Sequence, residues 1–181
     1  RKPGATILPA SAPLVIDTDR PTLASVFAEA GYTTGMIGKW HLGLGNGKVN
    51  WNKRIEPGPK EIGFDRSFIM PATNDRVPTV YVDGYHVAGL SEDDPPLRIS
   101  YKQKIGDLPT GKSHPSKLRY PADDQHSGTI VDGISRIGWM AGGQSAWWEE
   151  GEIAPTFVKQ ARRFMHEHQD DPFLLYMSLR D

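Results

Sequence analysis

Twice along this sequence a helical spacing of apolar residues gives way, after a break, to an apolar run of strand length. In the first case Pro21 suits a helix start, and Leu23, Val26, Phe27 and Ala30 recur on one helical face. Gly31 then supplies the left-handed residue that ends such helices. The segment that follows, "YTTGMIGKW", is rich in strand formers: Tyr32, Thr33, Thr34, Met36 and Ile37. In the second case Ile153, Phe157, Ala161, Phe164 and Met165 mark an amphipathic helix through about His168, broken by Asp170, Asp171 and Pro172. "FLLYMS" is then a continuous apolar run, as in a strand covered on both faces. Two such steps predict an α/β fold: a mixed, largely parallel sheet with flanking helices, incomplete in this chain because the second strand runs into its last residues.

Both strands end in polar residues, Lys39 and His41 after the first, Arg180 and Asp181 after the second. Open α/β sheets bind ligands outside the carboxyl ends of their strands, so this edge is the expected site. Residues 1–19 read as an irregular lead-in broken by Pro3, Pro9 and Pro13. Leu44 to Glu152 is glycine- and proline-rich, mostly loop with short strands, and "PTVYVDGYHVAGL" suits a hairpin around Asp83-Gly84. "TIVDGISRIGWM" has a mixed pattern that assigns no single element.

The chain's 181 residues suffice for one domain with a real core. A net charge of -1 offers nothing to a nucleic acid or an anionic membrane surface. Apolar runs of a handful of residues predict no membrane span, and the first dozen residues contain no signal-peptide core. The first residue is Arg rather than Met, as in a processed or excised chain. With no cysteine, this stretch contains no disulfide, thiolate metal site or cysteine nucleophile.

Several motifs fail on mechanism. "GDLPTGKS", Gly106 to Ser113, fits the spacing of a phosphate-binding loop. That chemistry needs a helix starting at the lysine, and His114-Pro115 and Pro121 forbid one. His166 and His168 lie two apart on a helix and face different ways; His86 and His114 lack ligand-spaced partners. The pairs Asp93-Asp94, Asp123-Asp124 and Asp170-Asp171 read as turn and cap chemistry. "GKWHLG" differs: in an extended segment Lys39 and His41 would point to one side and Trp40 to the other. A cation beside an imidazole suits an anion with a proton to move. Spacing alone nevertheless favours the plainer reading, a loop lysine and a satisfied histidine.

Wording shifts the balance. "PTLASVFAEAGYTTGMIGKWHLG", Pro21 to Gly43, resembles the second signature region of the sulfatase family, within the alkaline phosphatase superfamily. "IGFDRSF" at 62–68 is similar to the family's Gly-Phe-Asp segment, and "DDPFLLYMS" at 170–178 resembles the strand before its substrate-side histidine. "HSGTIVDGISRIGWMAGG" at 126–143 is similar to a stretch of bacterial polysaccharide-type sulfatases. The resemblance implies an alkaline-phosphatase-like fold in which residues 1–181 form part of the N-terminal catalytic domain. Within it, 21–43 is the signature helix and strand, 44–152 the loop-rich substrate region and 153–181 the second helix and strand.

The activity implied is hydrolysis of sulfate esters, with sulfated carbohydrates or small molecules as substrates. The family uses a formylglycine nucleophile, made from Cys or Ser in a C/S-x-P-x-R motif, and a Ca2+ or Mg2+ ion held by Asp and Asn. By resemblance Lys39 bridges nucleophile and sulfate, and His41 takes a proton as the sulfated intermediate collapses. Where related human enzymes have "PYSHD", this sequence has "PATND", which puts Thr73 at the serine position with Asn74, Asp75 and Arg76 alongside as substrate-binding residues. The nucleophile motif, the metal-binding Asp-Asp pair that the family carries upstream of it and the Asp-Asn pair it carries far downstream are all missing from this sequence. The chain is therefore expected to supply the cationic half of a site, to hold no metal itself and to be inactive alone. A periplasmic or secreted location, or a lysosomal one in an animal, follows from the family. Two other readings compete: a phosphodiesterase or phosphonate hydrolase of the same superfamily, and a non-catalytic carbohydrate-binding module using aromatics such as Trp147-Trp148.

Overall fold

The computed structural model describes residues 7–179, so the first six residues of the lead-in and Arg180 and Asp181 lie outside it. Helix α1 (Leu23–Glu29) opens on a capping box. The Thr22 hydroxyl accepts the Ser25 amide at 3.0 Å, and Ser25 Oγ accepts the Thr22 amide at 2.9 Å. Gly31 ends the turn with φ 85. The face predicted to be buried is not: Leu23 and Val26 are more than half exposed, and Ala24 alone of the helix is buried. The reason is a close approach, since a Cβ on Gly63 would lie 2.4 Å from the Ser25 amide nitrogen. Only small side chains fit there.

Strand β1 (Thr33–Lys39) has a neighbour on each side. It pairs in parallel with β2 (Arg66–Met70) and with β9 (Phe173–Ser178). The antiparallel strands β3 (Val82–Asp83) and β4 (His86–Val87) extend the sheet beyond β2, giving the order β4-β3-β2-β1-β9. The hairpin expected around Asp83-Gly84 is thus present. Met36 faces a core shared with Ala24, Ile62 and Phe64. Ile37 faces Phe157, Ala161 and Phe164 of helix α2 (Ile153–Glu167). Buried Thr34 joins β1 to the chain before β2: its amide donates to Asp65 Oδ2 at 2.8 Å and its hydroxyl to the Gly63 carbonyl at 2.7 Å.

Strand β9 departs from expectation. It lies at the sheet's edge among the described residues, with Tyr176 and Met177 exposed rather than covered on both faces. The loop-rich region holds two small ladders. Strand β5 (Arg98–Ser100) pairs with β8 (Trp139–Ala141), and β6 (Ile130–Val131) pairs with β7 (Ile134–Ser135). The turn joining β6 and β7 is Asp132-Gly133, with φ 50 and 72, the geometry of a two-residue hairpin. This is the stretch whose apolar pattern assigned nothing: its strands are two residues long, too short for a period to register. Trp148 is buried against Tyr81, ring centroids 5.4 Å apart, and Trp147 donates to the Gly142 carbonyl at 3.2 Å. The tryptophan pair therefore belongs to the core and its margin, not to a sugar-stacking platform. Gly106 to Ser113 is loop, followed only by a 3-10 turn at Pro115–Lys117.

Candidate active site

The loops leaving β1 and β2 run side by side at the carboxyl ends of those strands. The Trp40 amide donates to the Met70 carbonyl at 2.9 Å, and the His41 amide to the Pro71 carbonyl at 3.1 Å. This pairing carries His41 past Pro71 toward the turn that holds Thr73, Asn74, Asp75 and Arg76. Regular extension stops early, because Gly38 has φ 116 and His41 φ 54. Strand alternation therefore does not decide which way Lys39 and His41 point, contrary to the sequence argument. Trp40 is buried and its Nε1 donates to the Gly43 carbonyl at 2.7 Å, which fixes the loop between them.

Lys39, at the last position of β1, is half-buried and lines a cavity of about 310 Å³ with Met36, Trp40, Leu42 and Ser178. His41 is also half-buried, and its Nε2 lies 3.0 Å from the Leu8 carbonyl. A carbonyl oxygen only accepts, so Nε2 bears the hydrogen and Nδ1 keeps a lone pair. Burial, the largest effect, holds the His41 pKa below its ordinary 6.5. The Leu8 bond opposes that shift, Arg76 and Lys39 reinforce it, and Asp75 weakly opposes it. His41 is consequently a neutral imidazole at neutral pH, with cations on hand.

The turn after β2 is internally bonded. The Thr73 hydroxyl donates to Asp75, and Arg76 Nε donates to Thr73 Oγ1 at 2.8 Å and to Asp75 Oδ1 at 3.1 Å. Burial pushes the Asp75 carboxyl up, but the bonds from Arg76 and Thr73 outweigh it and leave the pKa below the usual carboxylate value. Asn74 turns away: its amide donates to Glu150 Oε1 at 2.6 Å. Three further groups, His126, Arg136 and Glu150, surround the turn, and only Arg136 has any sequence signal. His126 lies 3.6 Å from Asp75 and 2.8 Å from Asp123, and fully buried Arg136 reaches Asn74 and Glu150. The pattern "ISRIGW", an arginine between isoleucines, was the one available hint of a buried cation. Among the described residues no three His, Asp or Glu side chains converge as metal ligands, so the residues present do not fit the family's cation. The chain likewise has neither a cysteine nor a serine in a C/S-x-P-x-R motif from which a formylglycine could form.

A largely parallel sheet with helices on both faces, bearing Lys39 at the end of a strand and His41 and Arg76 on loops at its carboxyl edge, defines an α/β protein with a cation-bearing strand edge. The chain belongs to the sulfatase family, whose model matches residues 10–181. It is 44% identical, over its whole length, to an N-acetylgalactosamine-6-O-sulfatase of Bacteroides thetaiotaomicron, of which it covers 35%. An arylsulfatase of Klebsiella aerogenes is 37% identical over 38% of this chain and 14% of its own length. Human arylsulfatase G is 46% identical over 30% of the chain and 9% of its own. A solved structure, described under the metabolism of multiple glycosaminoglycans by Bacteroides thetaiotaomicron, matches with a TM-score of 0.93 and 44% identity. It spans 99% of this chain and 37% of that one, which bears out the α/β expectation. The chain thus spans about a third of the length of the first relative and of the solved structure.

Proposed function

We propose that the protein to which this chain belongs hydrolyses sulfate esters of carbohydrates, and that this chain contributes the cationic wall of the active site. N-acetylgalactosamine 6-sulfate is the first candidate substrate, supported by 44% identity over the whole chain to an enzyme named for it. Formylglycine would supply the nucleophile and Ca2+ or Mg2+ would neutralise the sulfate, both held by parts of the protein beyond this chain. Lys39 opposes the negative charge that builds on the sulfate oxygens as the ester bond breaks. His41, neutral with its Nδ1 lone pair free, accepts a proton. Thr73, Asp75 and Arg76 contact the substrate. Asp75, a carboxylate repelled by sulfate, suits a sugar hydroxyl, and Arg76 offers donors beside it.

The observation carrying this reading is the pairing of the two loops, Trp40 to Met70 and His41 to Pro71, which joins the segment of Lys39 and His41 to the one leading into Thr73, Asp75 and Arg76. The test is turnover by the full-length protein of N-acetylgalactosamine 6-sulfate, nitrophenyl sulfate, nitrophenyl phosphate and a phosphonate ester. Sulfate-ester cleavage lost in Lys39→Ala and His41→Ala supports the proposal. Preference for the phosphorus esters would move the protein to the phosphodiesterase branch. Glycan binding without turnover, unchanged in both variants, would make it a binding module.

A further inference from the structure

Arg136 has no solvent-exposed surface, yet it carries a charge. Its Nη1 donates to the Asn74 carbonyl at 2.5 Å and to Glu150 Oε2 at 3.0 Å, and its Nη2 to the Val131 carbonyl at 3.1 Å. Glu150 Oε1 in turn accepts the Asn74 amide at 2.6 Å, so Asn74 is gripped at both its main chain and its side chain. The neighbouring Ile137 adds two backbone bonds, its amide to the Asp75 carbonyl at 2.7 Å and its carbonyl from the Val77 amide at 3.1 Å. Glu150 is itself held, its amide donating to Asp132 Oδ2 at 2.9 Å in the β6–β7 turn. A buried ion pair is a poor source of net stability, because desolvation offsets much of its attraction. Its geometry, by contrast, is strict. Two charged groups joined to one residue of the turn leave that turn a single orientation.

We infer that Arg136 and Glu150 are positioning residues: their buried ion pair, closed through Asn74, holds the Thr73–Arg76 turn so that Asp75 and Arg76 face His41. Asn74 then acts through this clamp instead of touching substrate. The inference rests on reading that cluster as an anion site. Arg76 depresses the His41 pKa and Asp75 raises it by less, so a turn that swings away lets the His41 midpoint rise.

The experiment uses full-length protein with isotopically labelled histidine, His41→Gln to assign the signal, and inorganic sulfate as the probe. Glu150→Gln and Arg136→Lys are compared with wild type for His41 titration midpoint, sulfate affinity and melting temperature. The clamp predicts a raised His41 midpoint and sulfate binding about fivefold weaker. A lowered melting temperature with both the midpoint and the affinity unchanged would mean the pair is structural only, and would overturn the inference. Asn74→Ala, which leaves the ion pair in place and cuts only the amide link, keeps the question answerable should a charge variant fail to fold. Its midpoint must rise too. The clamp is judged from the midpoint, so a wild-type His41 signal that ignores sulfate counts against the anion site and not against the clamp.

Discussion

His41 Nε2 donates to the Leu8 carbonyl at 3.0 Å, across 33 positions of sequence. The bond fixes which ring nitrogen can accept a proton and ties the lead-in to the edge of the sheet. Because burial, Arg76 and Lys39 together outweigh the Leu8 bond and Asp75, His41 should titrate below 6.5. Lys39→Ala and Arg76→Ala should raise its midpoint, and Asp75→Asn should lower it, as read by NMR of the imidazole. The sign for stability follows from linkage. With the folded pKa depressed, the unfolded chain binds the proton more readily, so the contribution of His41 is full above 6.5 and is lost as pH falls through the folded value. Melting temperature measured across that window, in wild type against His41→Gln, checks it.

Lys39 sits at the end of β1, half-buried beside a cavity, and little packing depends on its ammonium. In the full-length protein Lys39→Ala should lower kcat/KM for a sulfate ester by roughly 100- to 1,000-fold, the cost of removing one preorganised group from a developing charge. Its melting temperature should change little.

Trp40 contributes through one bond and its burial. Trp40→Phe keeps most of the apolar contact but leaves the Gly43 carbonyl without the indole donor at 2.7 Å. A loss of about 1–2 kcal/mol in urea unfolding is expected, with a larger relative fall in kcat than the loss of stability alone explains, because the loop carries Lys39 and His41.

Gly38 is required by its backbone and by its neighbour. With φ 116, its Cβ would lie 1.9 Å from the Ser178 carbonyl oxygen of β9. Gly38→Ala should therefore separate β9 from β1 next to Lys39 and destabilise the protein by at least about 2 kcal/mol. Urea unfolding measures the loss. Gly84→Ala, where a Cβ meets open space at φ 57, should cost less.

The sheet was legible because its central elements announce themselves locally. A helix cap, a glycine stop and a β-favouring run place α1 and β1, and α2 and β9 repeat the pattern. What was not legible depends on distance in sequence. The exposed face of α1 results from Gly63, 40 positions after Leu23, and the exposure of β9 from its place in the strand order, which no periodicity encodes. Within the site, Lys39 and His41 stand out as local wording, whereas the left-handed backbone at His41 does not. Leu8, His126, Arg136 and Glu150 join the cluster through contacts spanning 14 to 76 positions. Such contacts leave no trace in spacing.

In the proposed site the segments that follow β1 and β2 converge on one anion. Titrating inorganic sulfate into the full-length protein while following the His41 imidazole signal tests it most directly. Sulfate should shift that signal and raise the His41 midpoint, since an anion favours the imidazolium, and Lys39→Ala should abolish the response. A His41 signal unmoved by saturating sulfate, or one that responds equally without Lys39, would contradict it.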